Sequence, residues 1–184
     1  NISVFISGRG SNLRSLIKNS NKKNSCFRVK LIISNKFDAK GLNYAKKYKI
    51  PFFVTNFKNH RKSEELIIKK INKYKIELIC LAGFMKILSS NFIKKIKKPI
   101  LNIHPSLLPK YKGLNTHAKA IANKDKFSGS TVHVVNSKID SGKIVLQQKV
   151  KITKKDDKKS LEKKILKIEH RLYSKALRIF LSNS

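Results

Sequence analysis

The sequence predicts an α/β fold: a mostly parallel, twisted open sheet with helices on both faces, an antiparallel addition after the fifth strand, and a long C-terminal helix. Three observations carry this expectation. Short apolar runs alternate with segments of helical periodicity as far as His104, the mark of a parallel α/β sheet. One run, Glu77 to Phe84, is continuously apolar, as in a strand buried on both faces. The first strand meets the first helix in a glycine turn, Gly8-Arg9-Gly10-Ser11-Asn12.

The elements follow in order. Ile2 to Ser7 is an apolar strand, and Leu13, Leu16 and Ile17 begin a helix after the glycine turn. Phe27 to Ser34 reads as the second strand and Ala39 to Lys49 as a short helix. Ile50 to Thr55 is the third strand, with Pro51 at its start, where proline is tolerated. Ser63 to Lys75 repeats Leu66, Ile67 and Ile71 at helical spacing. The buried run at Glu77 to Phe84 is followed by a short helix, Ser90 to Lys97, and a fifth strand, Pro99 to His104. The pattern then changes. Pro105 and Pro109 bracket a loop, and Thr116 to Asn123 is helical. Gly129 to Asn136 and Lys143 to Val150 are strands joined through a turn at Ile139-Asp140-Ser141-Gly142. Lys158 to Leu181 is a long helix whose apolar stripe (Leu161, Ile165, Ile168, Leu172, Ala176, Ile179 and Phe180) packs on the sheet. Lys154 to Lys159 reads as a solvated turn.

Composition limits the function classes. A chain of 184 residues corresponds to one domain, since domains run to about 100–200 residues. No run of about 18 uncharged apolar residues exists, so no membrane helix is expected. The start lacks a signal-peptide layout. Cys26 and Cys80 lie in apolar runs and read as buried thiols of a reducing compartment, which places the chain in the cytoplasm. The net charge of +33 suggests a polyanion. Yet 37 of the 43 cations are Lys, spread along the whole chain beside abundant Ile and Asn. Sites that read nucleic acid favour Arg. Lys, Ile and Asn share A/T-rich codons, so a low-GC genome accounts for the charge better than a basic nucleic-acid-binding module does.

Three segments carry chemistry. In Gly8-Arg9-Gly10-Ser11-Asn12 the glycines allow backbone to approach an anion at a helix N-terminus. Ser11 or Asn12 is also placed to cap that helix. The dinucleotide fingerprint would need Gly at position 13, where Leu13 stands, and an acid after the second strand, where Ser34-Asn35-Lys36 stands. A single phosphate is therefore favoured over a dinucleotide, although a tight turn without ligand would use the same residues. In Asn102-Ile103-His104-Pro105, Asn102 and His104 share one face of a strand end. An amide beside an imidazole suits polarisation of a carbonyl oxygen. Asp140 lies in a glycine turn where it can serve backbone groups, and a carboxylate near His104 would fix its tautomer and raise its pKa. His133 is a further candidate. His60 and His117 read as surface residues. No spacing resembles a metal site, so no metal is expected.

Taken together, these segments are more specific than any one of them. Ser7-Gly8-Arg9-Gly10-Ser11-Asn12-Leu13, Leu81-Ala82-Gly83-Phe84-Met85-Lys86-Ile87-Leu88-Ser89 and Asn102-Ile103-His104-Pro105-Ser106-Leu107-Leu108-Pro109 occur in order. Lys112-Gly113-Leu114-Asn115-Thr116-His117, Gly129-Ser130-Thr131-Val132-His133 and Asp140-Ser141-Gly142 follow. The set closely resembles the phosphoribosylglycinamide formyltransferases (glycinamide ribonucleotide transformylases), within the folate-dependent formyltransferase superfamily. The resemblance covers nearly the whole chain and implies a Rossmann-like formyltransferase fold in one domain over 1–184. A phosphate-binding half spans 1–100, and a catalytic and folate-binding half spans 101–184. It implies transfer of a formyl group from 10-formyltetrahydrofolate, the cosubstrate, to the amine of glycinamide ribonucleotide in purine synthesis.

By the same resemblance, Gly10, Ser11 and Asn12 cradle the ribonucleotide phosphate and Glu169 contacts the ribonucleotide. Asn102 donates to the formyl oxygen, His104 stabilises that oxyanion and moves protons, and Asp140 raises the pKa of His104 and positions a water. Met85, Lys86, Ile87, Leu88, Asn102 and the loop from Val135 to Asp140 line the folate pocket, Arg61 meets the folate glutamate tail, and Thr131 and His133 support the site. Leu166 departs from a polar residue found in some relatives. The implied partners are the ribonucleotide and the folate, with no specific nucleic acid and no membrane; oligomeric state is left open. Methionyl-tRNA formyltransferases and formyltetrahydrofolate deformylases share the motifs but carry a further C-terminal or N-terminal domain. This chain starts in its first strand without Met and ends soon after one helix, so it reads as a short or trimmed member of the ribonucleotide type. Both implied ligands are anionic, so the positive field can steer their encounter.

Overall fold

The computed structural model describes residues 1–183. The chain packs as two compact units, residues 1–101 and residue 102 onward. The first unit opens with β1 (Ile2–Ile6), α1 (Ser11–Ser20), β2 (Val29–Ser34), α2 (Leu42–Lys47) and β3 (Phe52–Val54). It continues with α3 (His60–Lys73), β4 (Leu78–Leu81) and α4 (Ser90–Ile96). β1 lies between β2 and β4, parallel to both, with Val4 level with Ile32 and Cys80. β3 adds in parallel to β2. Every residue of β1 and β4 is buried, as the continuous apolar runs require. Leu13, Leu16 and Ile17 of α1 and Ile67 and Ile71 of α3 are fully buried, as the helical spacing predicts, whereas Leu66, read as part of the same face of α3, is exposed because it falls one residue (about 100°) round the helix from Ile67.

β5 (Ile100–His104) leads into the second unit, which contains α5 (Thr116–Ala122), β6 (Phe127–Val134), β7 (Ile144–Lys151) and α6 (Lys158–Ser182). β6 and β7 form an antiparallel pair whose register shifts between Val132 and His133. α6 packs along both strands, and α5 packs on α6. Ala120, Leu161 and Ile165 form a buried cluster covered by Tyr111, Ile121 and Ile152. The seven strands run in the order β3-β2-β1-β4-β5-β6-β7, with β6–β7 the antiparallel addition. Among the described residues no helix is long and apolar enough to cross a membrane.

Four further expectations change. Cys80 is buried but Cys26 is exposed, because Ser25 to Arg28 is a loop leading to a strand that starts only at Val29. The first helix is not capped by Ser11 or Asn12; its N-cap is Gly10, at φ 72°, and no side chain caps it. The third helix starts at His60, ahead of Ser63, because the Asn59 side chain accepts the Lys62 N–H. The charged stretch at 154–159 is more than a solvated turn. Asp157 caps α6 through the Ser160 N–H, and the Ser160 hydroxyl returns to the Asp157 N–H, a reciprocal box.

Gly10 illustrates how tightly the first turn is built. Its φ of +72° disfavours any side chain, and a Cβ would stand 2.6 Å from the Gly41 Cα. Gly10→Ala is expected to lower the free energy of unfolding by about 1–3 kcal/mol, read from urea denaturation. An unchanged midpoint would show that the turn tolerates another backbone conformation.

Candidate active site

The second unit brings the predicted catalytic residues together. Asn102 and His104 project from one face at the end of β5, as their spacing requires. His133 comes from β6, and Asp140 from the turn before β7. Asp140 Oδ2 lies 3.3 Å from His104 Nδ1 and accepts the Gly113 N–H at 2.8 Å. Asp140 Oδ1 lies 3.4 Å from His133 Nε2 and accepts from Asn102 Nδ2 at 3.4 Å. Asn102 Nδ2 is also 3.2 Å from His133 Nε2.

The hydrogen-bond directions follow from the partners. His133 Nδ1 faces the Val134 carbonyl at 3.0 Å and must donate. In the neutral ring its Nε2 then accepts from Asn102; in the charged ring Nε2 donates to Asp140. An amide nitrogen carries two hydrogens: with His133 neutral they go to His133 Nε2 and Asp140 Oδ1, and when His133 is charged and no longer accepts, one of them is available to an external acceptor. His104 Nε2 faces the Tyr111 carbonyl at 2.9 Å and must donate there. Its Nδ1 faces the Asp140 carboxylate, so the surroundings of the ring are fully satisfied when both nitrogens carry protons.

Asp140 is the electrostatic centre. Burial pushes its carboxyl pKa up, but hydrogen bonds from His133 and the Gly113 N–H, with the charges of His104 and His133, outweigh this and hold it below the ordinary carboxylate value. Its backbone is left-handed, at φ 45°. Two residues on, Gly142 passes against β6: a Cβ there would lie 1.7 Å from the Val134 carbonyl oxygen.

Neighbouring groups fix the loops. Tyr111, whose carbonyl holds His104, is itself anchored by its hydroxyl on Asp125 Oδ2 at 2.8 Å. Lys110 reaches the other oxygen of Asp125 at 2.6 Å. The Thr131 hydroxyl donates to the Ser106 carbonyl at 2.7 Å and accepts the Leu108 N–H at 3.1 Å, bracing the loop after His104. The Ser130 hydroxyl reaches the His104 carbonyl at 2.9 Å and Glu169 Oε1 at 3.2 Å. Glu169 is buried on α6. Val135 is half-buried at the end of β6.

The remaining predicted residues lie in the first unit. Gly10 closes the β1–α1 turn, and Ser11 and Asn12 open the first turn of α1, which no side chain caps. Met85, Lys86, Ile87 and Leu88 follow β4 in an irregular segment. Leu88 is buried, while Met85 and Ile87 are about two-thirds exposed. The Arg61 side chain is 84% exposed and pairs with Glu65 one turn along α3, at 3.1 Å. His117 is not a surface residue. It is half-buried on α5, and burial lowers its pKa, with Glu162 partly offsetting that.

Sequence reasoning missed His60, Glu64, Ser130 and the Tyr111 carbonyl. The His60–Glu64 pair had a signal, an i,i+4 spacing on one helix face. A backbone carbonyl has none. Among the described residues no group of three His, Cys, Asp or Glu is placed to hold a metal ion. The chemistry on offer is stabilisation of an anionic oxygen by an amide and an imidazole, with proton transfer assisted by a buried carboxylate.

Comparison with known proteins gives a consistent picture. A family model described as formyl transferase matches residues 1–177. Phosphoribosylglycinamide formyltransferase of Haemophilus influenzae is 41% identical over 182 residues, covering 97% of this chain and 86% of that protein. The human trifunctional purine biosynthetic protein adenosine-3 is 38% identical over 186 residues; the chain spans only 18% of its length. The crystal structure of phosphoribosylglycinamide formyltransferase from Anaplasma phagocytophilum superposes with a TM-score of 0.93 at 38% identity, covering 99% of this chain and 86% of that one.

Two outcomes are expected. Gly142→Ala displaces the turn that carries Asp140 and lowers both stability and turnover; a variant with normal turnover would show that the close approach to Val134 is dispensable. Because the Asp140 pKa is lowered, its carboxylate stabilises the fold above its unfolded value of 3.8. That contribution is lost as pH falls through the lower folded value. The stability difference between the wild type and Asp140→Asn is therefore constant above about pH 5 and shrinks below pH 4. Urea titrations at each pH check this, and a difference that ignores pH there would contradict it.

Proposed function

The chain belongs to the formyl transferase family, and from that premise we propose that it transfers the formyl group of 10-formyltetrahydrofolate to the amine of glycinamide ribonucleotide. The products are formylglycinamide ribonucleotide and tetrahydrofolate, in purine synthesis. The observation that carries this reading is the convergence of Asn102, His104 and Asp140 within hydrogen-bond and ion-pair reach, in a chain 41% identical to a formyltransferase of similar length.

The reaction needs little beyond these groups. The substrate amine attacks the formyl carbon, forming a C–N bond and placing negative charge on the formyl oxygen. An Asn102 N–H turned from its resting partners to the formyl oxygen, and the His104 imidazolium, stabilise that charge as it develops. The intermediate collapses by breaking the bond between the formyl carbon and N10 of the folate. The proton lost by the attacking amine ends on N10, passing through His104, or through a water held by Asp140. Asp140 keeps the His104 ring in one orientation, and the Tyr111 carbonyl fixes its far edge. His133 holds the Asn102 amide with its nitrogen inward. A buried anion acceptor and two imidazoles thus hold the donors in place before the charge appears, which is where such sites gain most of their rate.

The ribonucleotide phosphate is assigned to the backbone N–H groups of Gly10, Ser11 and Asn12, and its polar body to Glu169. In the first unit the folate is assigned to Met85, Lys86, Ile87 and Leu88, an apolar wall with backbone polar groups suited to a flat heterocycle; in the second, Asn102 and Val135 are assigned to the same cosubstrate. Arg61, exposed on α3 beside Glu65, is assigned to the anionic tail of the folate. We read the chain as a cytoplasmic enzyme acting on small-molecule substrates.

A product assay offering glycinamide ribonucleotide and methionyl-tRNA together, with 10-formyltetrahydrofolate as donor, tests the reading. Formylation of the ribonucleotide is expected, and formylation of the tRNA instead would overturn it. His104→Ala is expected to lose about a hundredfold or more in turnover while its circular dichroism and unfolding midpoint stay near wild type. A fully active variant would remove His104 from the role assigned.

A further inference from the structure

The segment from Gly83 to Ser89 forms neither helix nor strand, so its backbone groups must find partners elsewhere. They find them at every second residue. The Met85 N–H donates to the Ser7 hydroxyl at 2.6 Å. The Ile87 carbonyl lies 3.0 Å from His60 Nε2. The Ser89 N–H and hydroxyl donate to the two oxygens of Glu64 at 2.7 and 2.6 Å. His60 and Glu64 are one turn apart on α3, with His60 Nδ1 3.3 Å from Glu64 Oε1. Phe57 packs edge-on against both His60 and Phe84, closing the brace from below.

We propose that His60, steadied by Glu64, is a positioning residue that fixes the backbone of the segment carrying Met85, Ile87 and Leu88. This rests on the reading of that segment as the folate wall. A carbonyl only accepts, so His60 Nε2 must donate to Ile87. Glu64 is buried, 5% exposed, in a chain where carboxylates are scarce. A buried carboxylate is expensive unless its oxygens are occupied, and the Ser89 N–H and hydroxyl occupy both oxygens of Glu64, with His60 Nδ1 a further donor when that ring carries both protons. The Ile87 carbonyl is different. It lies beside a His60 side chain that is 43% exposed, where water would satisfy it equally well. The bond therefore adds orientation rather than needed satisfaction. Its result is a pinned backbone that presents two exposed apolar side chains, Met85 at 63% and Ile87 at 67%. A wall fixed before binding spends less ordering entropy when a ligand docks.

The test turns on which ring nitrogen matters. His60→Gln places an amide N–H where Nε2 donates, His60→Asn retains only the nearer position, and His60→Ala retains neither. His60→Asn and His60→Ala are expected to raise KM for 10-formyltetrahydrofolate about fivefold, the scale of one hydrogen bond. KM for glycinamide ribonucleotide and kcat at saturating folate stay put. His60→Gln is expected to stay within about twofold of wild type by the same argument. Independently of activity, amide exchange over Lys86 to Ser89 should quicken in the Asn and Ala variants and not in Gln, at an unchanged unfolding midpoint. Equal KM and exchange in all variants, or a Gln variant as impaired as Ala, would overturn the proposal. A wild type that does not use the folate donor would sink the proposed function instead, and the exchange pattern would still decide the brace.

Discussion

One carboxylate organises the second unit. Asp140 takes contacts from a strand end (Asn102 and His104), a neighbouring strand (His133) and a loop amide (Gly113). No two of these segments are adjacent in sequence, so the carboxylate is what gives them a common geometry. The cost of bringing it out of water is met by hydrogen bonds on both oxygens. The fold supplies the conditions. β5 ends at Pro105, which frees Asn102 and His104 from a continuing strand; Gly142 lets the turn close on Val134; and Asp140 itself accepts a left-handed backbone. The Tyr111 loop, held by Asp125, then fixes the far side of His104.

Legibility in the sequence followed the physical nature of each signal. Strands and helices were readable because burial leaves a continuous apolar run in a strand covered on both faces, as in β1 and β4, and a period of 3.6 along a helix, as in α6. The pairing of His104 with Asp140 was readable from motif order, since neither residue alone is informative. Element edges were harder. The third helix starts at His60 because Asn59 caps it, and the first helix starts under Gly10 with no side-chain cap; both depend on local backbone geometry rather than period. Cys26 looked apolar by its neighbours but lies in the loop before β2. Arg61 and His60 stand side by side, and the family resemblance pointed to the arginine. The helix turns that arginine outward to Glu65 and turns the histidine toward Ile87. Partners that are backbone carbonyls, such as those of Tyr111 and Ile87, leave no trace in side-chain identity.

The surface charge and the interior are two sides of one composition. The 43 cations are spread over the whole chain, whereas most of the ten acids hold something in place. Glu64 ties α3 to the segment before α4, Asp125 anchors the Tyr111 loop, Asp140 centres the site, and Glu169 meets Ser130. Asp156 gathers Thr153, Ser160 and Lys164, and those contacts, led by the Lys164 ammonium, drive its pKa far down. Asp157 caps α6.

The scarcity of acids has a consequence for robustness. A protein with many carboxylates has redundancy: if one is lost, another nearby can take over part of its work. Here Glu64, Asp125 and Asp140 each serve a joint alone, in a chain whose many lysines cannot accept a hydrogen bond. A drift that exchanges one more surface residue for lysine is absorbed, but the same exchange at Glu64, Asp125 or Asp140 leaves a donor cluster with nothing to converge on. The chain therefore tolerates change broadly and fails sharply at a few isolated points.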